Sequence, residues 1–261
     1  MRPYQWYKNL VLFAGVTFAG QLMNSSLFSK AVVAFGIFCL LSGAGYMIND
    51  ITDRASDSHH SEKSRRPIAS GNISGSHALV ISALIFFIGN CSAFFLTVEF
   101  GVCAVSYSLV TVLYSVLLKR VVLLDVITIS IGFVIRAVAG AVAIDVYISP
   151  WLVLCAFMLA LFLGLCKRKQ EQSLLYEPQF LNHLVSITTT LVIMSYSLYT
   201  FLRATQEMMI TIPLVLYGLF RFLKLSYDDQ AAKPAFFFLD GPLMITFVLW
   251  VLLVVFLLYV I

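Results

Sequence analysis

Nine stretches of this 261-residue chain are apolar for about as long as a bilayer-crossing helix needs, roughly 17–25 residues. They run Asn9–Met23, Ser29–Ile48, His77–Thr97, Gly101–Leu118, Val121–Ile144, Trp151–Cys166, His183–Phe201, Met208–Leu223 and Gly241–Ile261. In hydrocarbon each backbone N–H and C=O must find its partner inside the protein, so only helices or a closed barrel can span. The runs are continuous and do not alternate at short spacing, which excludes a barrel. With 61% apolar and 11% charged residues, a soluble domain is excluded as well. The expectation is an all-α polytopic membrane protein of nine transmembrane helices, forming one integral-membrane domain over 1–261. The opening residues, Met1-Arg2-Pro3-Tyr4-Gln5-Trp6, lack a small-residue cleavage site, so the first run is expected to stay in the mature chain.

Charge placement orients the bundle. With the N-terminus in the cytoplasm, 14 of the 17 Lys and Arg fall on the cytoplasmic side. Lys30 and Arg203 fall outside, and Arg136 lies within a helix. That bias obeys the positive-inside rule, and it places every charge-dense loop on one face. An integral protein of a prokaryotic plasma membrane, with its C-terminus outside, is the expected setting. No basic arm interleaved with aromatics is present, so nucleic acid is not an expected partner. The five cysteines stand singly in apolar runs without ligand spacing, as small core residues do.

The chemistry concentrates after the second run. Residues 49 to 57 read N-D-I-T-D-R-A-S-D, placing Asp50, Asp53 and Asp57 at i, i+3 and i+7 on one helical face. Stacked like charges repel unless a cation sits among them. Mg²⁺ held by a few carboxylates and completed by substrate phosphates is the usual arrangement; the bland alternative is a solvated acidic helix end. The segment Thr52–Ser76 is the one long polar connection, and such loops are usually functional. Its Lys63, Arg65 and Arg66 are placed to fold back and grip phosphate oxygens, or simply to mark the cytoplasmic side. His59 and His60 lack metal-ligand spacing. Arg221, Lys224 and Asp228 repeat the i, i+3, i+7 geometry at the end of the eighth run, either completing a phosphate cavity or ending a helix in solvent. Arg136 sits about ten residues from either end of its helix, too deep for easy snorkelling, and should face a polar cavity or an anion. Asp125, three turns earlier on nearly the same face, is the alternative partner, and Gly132 and Gly140 leave room beside the arginine. Lys167, Arg168, Lys169 and Glu171 close the sixth run.

Asn49-Asp50-x-x-Asp53-x-x-x-Asp57 followed by Lys63-x-x-Arg66-Pro67-Ile68-Ala69-x-Gly71 resembles the first signature of the UbiA-type prenyltransferase superfamily. Three further features resemble its decaprenyl-phosphate phosphoribosyltransferase branch. These are Arg2-Pro3-x-Gln5-Trp6-x-Lys8-Asn9, then Leu124-Asp125 leading to Gly132-Phe133-x-x-Arg136-Ala137-x-Ala139-Gly140, and Lys167-Arg168. The resemblance implies a UbiA-type bundle with a cytoplasmic-facing site. It implies that Asp50, Asp53 and Asp57, with Asn49, hold Mg²⁺ and the diphosphate of 5-phosphoribosyl 1-diphosphate. Lys63 and Arg66 would then grip phosphate oxygens, with Lys8, Arg136 and Lys167 on the other phosphates. Asp125, Arg168, Arg221, Lys224 and Asp228 are further candidates for the substrate site, read from their own placement. The acceptor implied is a polyprenyl phosphate. Two positions depart from the family pattern: Ser61, not proline, follows His60, and Lys233 precedes Pro234 in place of an acidic residue. The alternatives are prenyl transfer from an isoprenyl diphosphate to an aromatic acceptor, for which Tyr227-Asp228-Asp229-Gln230 is a poor second motif, and a transporter. A transporter would cluster its ionisable groups at the midplane between two repeats.

Overall fold

A computed structural model describes residues 2–59, 61, 63–171, 175–202, 206–227 and 240–259. The chain divides into two units, Met1–Tyr147 and Ile148–Ile261. The first opens with a 3-10 helix, Pro3–Leu12, that runs into α1 (Phe13–Phe18). Next come α2 (Ser25–Thr52), α3 (Arg54–Ser58), a 3-10 turn at Lys63–Arg65, α4 (Gly75–Phe94), α5 (Val98–Val116), a 3-10 turn at Leu118–Arg120 and α6 (Leu124–Val142). The second unit holds α7 (Pro150–Gln170), α8 (Pro178–Leu202), a 3-10 helix Gln206–Thr211 feeding α9 (Ile212–Tyr227), and α10 (Gly241–Tyr259). Helix starts follow the sequence: the side chains of Asn24, Ser74 and Thr97 accept the N–H of Leu27, His77 and Phe100 at 3.3, 3.2 and 3.0 Å. Each satisfies a donor that the first turn would otherwise leave bare.

Among the described residues eight helices are long and apolar enough to cross a membrane: α2 and α4 to α10, with α9 counted from Gln206. The expected first span, Asn9–Met23, is built differently. The chain is helical from Pro3 to Phe18 as a composite of 3-10 and α geometry, and Gly20 turns it with φ at +70°. Small residues explain how that composite packs. A Cβ on Gly140 of α6 would lie 1.9 Å from the Leu12 carbonyl oxygen, and one on Gly15 would lie 2.8 Å from Ala141 Cα. The N-terminal helix therefore meets α6 backbone against backbone, where no larger residue fits.

The core of the first unit gathers on Phe38 of α2, whose ring centroid is 5.6 Å from that of Phe100 and 5.1 Å from that of Tyr107. Leu12, Leu41, Ala104 and Ala139 close around them with no exposed surface. In the second unit α7 packs along α8, while α9 contacts α7, α8 and α10. The turn into α10 is fixed by Asp240, whose carboxylate accepts the Leu243 N–H at 2.9 Å and the Arg221 guanidinium at 2.7 and 3.1 Å.

Candidate active site

The helix that carries the aspartates runs beyond the apolar stretch, and this is what brings them into play. α2 continues past Ile48 through Asn49 and Asp50 to Thr52, then Asp53 serves both as its end and as the start of α3. With φ −95° and ψ 0°, Asp53 barely interrupts the screw, so Asp50 and Asp57 stay on one side. Arg66 meets both: its Nη1 donates to Asp57 Oδ2 and lies 3.4 Å from Asp50 Oδ1. Arg66 reaches them because the long connection folds back through the Lys63–Arg65 turn and a second turn at Gly71 with φ at +84°. Asp57 is only 4% exposed. Asp53 faces a different cation, with Lys119 Nζ 2.5 Å from its Oδ1. The same ammonium reaches Thr52 Oγ1 at 2.7 Å and Asn49 Oδ1 at 3.3 Å, while Asn49 Nδ2 donates to Asp53 Oδ2 at 2.9 Å.

From the helix end a polar stripe descends into the bundle. Arg2 donates to Asp50 and lies over the Tyr46 ring, 5.4 Å from its centroid. Lys8 flanks the same ring at 6.0 Å, and Gln5 Oε1 accepts from the Tyr46 hydroxyl at 3.2 Å. One residue further, Asn9 accepts from Arg136 Nε at 2.8 Å and donates to Ser42 Oγ at 3.1 Å. Arg136 Nη2 donates to the Tyr107 hydroxyl at 2.7 Å, with the rings of Tyr107 and Phe133 on its faces. Among the described residues Arg136 has no carboxylate partner. The alternative Arg136–Asp125 pair does not form: their 11-residue separation is about 16 Å along the helix. Asp125 is instead wholly buried in the first turn of α6. Gly132 faces the arginine with ordinary clearance, 3.8 Å from a would-be Cβ to Nη1.

The remaining expected residues are placed as follows. Lys63 is half-buried and Arg65 exposed in their turn. In the second unit Lys167 and Arg168 both pair with Glu171, at 3.6 and 3.0 Å. Arg221 is engaged by Asp240, and Lys224 is exposed. His60, Asp228, Asp229 and Lys233 lie outside the described residues. Sequence reasoning did not single out Arg2, Lys119, Tyr46, Asn9 or Tyr107 as site residues, although Arg2 and Asn9 stand inside a motif it quoted.

Among the described residues no three acidic, histidine or cysteine side chains enclose a metal by themselves. That does not exclude Mg²⁺, which is usually bound through one or two carboxylates with phosphates and water completing its shell. Asp50 and Asp57 fit that role, since they already converge on a single cation, the Arg66 guanidinium.

A model of the UbiA prenyltransferase family matches residues 10–241. The decaprenyl-phosphate phosphoribosyltransferase of Mycolicibacterium smegmatis is 31% identical over 220 residues, covering 78% of this chain and 69% of the relative. The Mycobacterium tuberculosis protein of the same name is 30% identical over 220 residues, covering 78% of this chain and 73% of its own. A solved UbiA homologue from Archaeoglobus fulgidus, bound to GPP and Mg²⁺, shares the fold with a TM-score of 0.80 at 17% identity, covering 100% of this chain and 98% of that one.

Proposed function

Because the chain belongs to the UbiA prenyltransferase family, a family of membrane transferases, we propose that it moves a 5-phosphoribosyl group from phosphoribosyl diphosphate to a polyprenyl phosphate, releasing diphosphate. The observation that carries this reading is the concentration of cations around one carboxylate cluster. Arg2, Arg66 and Lys119 contact the aspartates, while Lys8 and Arg136 continue the positive stripe inward. A prenyl diphosphate offers one diphosphate group; the ribosyl donor adds a separate phosphate on C5 that a longer stripe of cations can hold. The two mycobacterial relatives named above support the same choice.

Asp50 and Asp57, with Asn49 and Asp53 beside them, would hold Mg²⁺. When bound, the metal neutralises charge on the departing diphosphate. Arg66 and Arg2 release their carboxylates and donate to phosphate oxygens, Arg66 bidentately. Lys119 steadies Asn49 and Asp53. Arg136, rigid between Asn9 and Tyr107, presents a preorganised charge to the other phosphate. A phosphate oxygen of the lipid attacks the anomeric carbon as the bond to diphosphate breaks. That oxygen is already ionised at neutral pH, so no general base is required. The Thr52–Ser76 segment is assigned to the cytoplasm of a prokaryote, where the soluble donor is made.

Purified protein with Mg²⁺, polyprenyl phosphate and radiolabelled 5-phosphoribosyl 1-diphosphate should yield label in a lipid-extractable product. A parallel tube holds a prenyl diphosphate and hydroxybenzoate. Prenylated aromatic there, with nothing in the first tube, would replace the donor and acceptor and leave the aspartate site in place.

A further inference from the structure

Two features of the second unit share one seam, and neither has a role among the residues assigned above. The first is a cavity of about 300 Å³ bounded by α7, α8, α9 and α10. Across it Leu159, Phe162 and Leu163 of α7 face Gly218, Leu219 and Phe222 of α9. Its wall suits hydrocarbon. The Tyr196 hydroxyl on the lining is already bonded to Thr211 at 2.6 Å and to Trp250 Nε1 at 3.0 Å, so it offers little to a polar guest. Leu159 and Phe247 on the lining are 41% and 45% exposed, so the cavity opens to the surface of a membrane-spanning unit.

The second feature is Lys169, in the last turn of α7. Its neighbours Lys167 and Arg168 are paired with Glu171. Lys169 turns inward over the ring of Tyr227 on α9, and its ammonium is buried with no hydrogen-bond acceptor among the described residues. An aromatic face gives such a cation a weak contact and does not replace the acceptors lost with water. Among the described residues no anion meets this ammonium.

The two features line up. The Phe162 and Phe222 rings meet at 5.6 Å at the cavity wall. Lys169 lies seven residues beyond Phe162, about 10 Å along α7, and Tyr227 five residues beyond Phe222, about 8 Å along α9. Both helices therefore run in the same direction from the cavity to the ammonium.

We propose that this seam binds an isoprenyl monophosphate, with the first isoprene units in the cavity and the phosphate at Lys169. One narrow apolar cavity and one buried ammonium fit a single chain with a phosphate head better than a lipid with two acyl chains. The identification of the occupant rests on the proposed polyprenyl-phosphate acceptor; the site itself rests on the cavity and the cation.

The test uses the full chain in nanodiscs of neutral lipid, radiolabelled farnesyl monophosphate as probe, and farnesol, inorganic phosphate and 5-phosphoribosyl 1-diphosphate as separate arms. Lys169→Met should weaken farnesyl monophosphate at least about tenfold while farnesol and the ribosyl donor bind as before. Lys169→Arg should restore most of the loss. Gly218→Leu, which adds bulk to the cavity lining, should weaken farnesyl monophosphate and farnesol alike. If Lys169→Met does not purify as a monodisperse protein, Lys169→Gln makes the same comparison. A Lys169 variant that loses the ribosyl donor and keeps the lipid would assign the ammonium to the soluble phosphate and overturn the proposal. So would farnesol binding untouched by Gly218→Leu. Lipid binding that follows these variants without any phosphoribosyl transfer would leave the site standing and remove the reaction; transfer with an unchanged lipid KM in Lys169→Met would do the reverse.

Discussion

An arginine 6% exposed and, among the described residues, without a carboxylate beside it is costly to keep in a bundle of apolar helices. Arg136 is kept because Asn9 and Tyr107 supply neutral oxygens at 2.8 and 2.7 Å, which satisfy two of its donors without cancelling its charge. In the proposed reaction that field is left for a substrate phosphate. Arg136→Leu should therefore cut kcat/KM about a hundredfold or more, and Arg136→Lys should recover little, because an ammonium cannot reproduce the planar fork between Asn9 and Tyr107. Equal activity in Arg136→Lys and the parent would show that charge alone matters there. At the helix end, Asp50→Asn should reduce turnover by at least about a hundredfold with the fold intact; near-normal turnover would move the diphosphate elsewhere. The depth of Arg136 and the spacing of the aspartates were readable from the letters. The partnerships were not: Arg2 meets Asp50 across 48 residues and Lys119 meets Asp53 across 66, and no local pattern encodes such distances. Lys119 read as one more positive charge on the cytoplasmic side until α5 delivered it beside Asn49.

At the scale of elements, eight apolar runs became eight long helices, because length and hydropathy are enough to specify a span. The first run departs from that rule through its packing, not its composition. Gly15 and Gly140 let the N-terminal helix lie against α6 so closely that its geometry follows the neighbouring backbone. Gly140→Val should consequently do more harm than ordinary overpacking, which costs about 1–3 kcal/mol, since the obstacle is the Leu12 carbonyl and backbone cannot rotate away. A thermal-unfolding scan showing an unchanged Tm would refute the tight crossing. A second element-level device is the Asp240 cap of α10. The Arg221 guanidinium, helped by the Leu243 N–H, holds the Asp240 carboxyl below its usual value of 3.8. The pair is thus fully formed above that value and lost only as pH falls through the lower folded one. Asp240→Asn should lower Tm by the same amount at pH 7 and pH 5, and the difference should shrink only below about pH 4.

For the molecule as a whole, the lopsided distribution of Lys and Arg makes a topological prediction. A cysteine introduced at Ser64 should be reached by a membrane-impermeant maleimide in inverted vesicles and not in intact cells; labelling from outside would reverse the bundle and the access route for the donor. The charge balance of the site has a different consequence. Asp50, Asp53 and Asp57 are matched, one for one, by Arg2, Arg66 and Lys119. A bare divalent ion arriving at this balanced group meets little net attraction and would strand an arginine by displacing it. A metal ion already chelated by diphosphate brings the anions those arginines need. Manganese titrated into the protein alone should leave its free-ion paramagnetic signal nearly intact, and adding diphosphate should suppress it. In the proposed reaction, loading is then an exchange of counter-ions in which the two halves of the donor complex must arrive together.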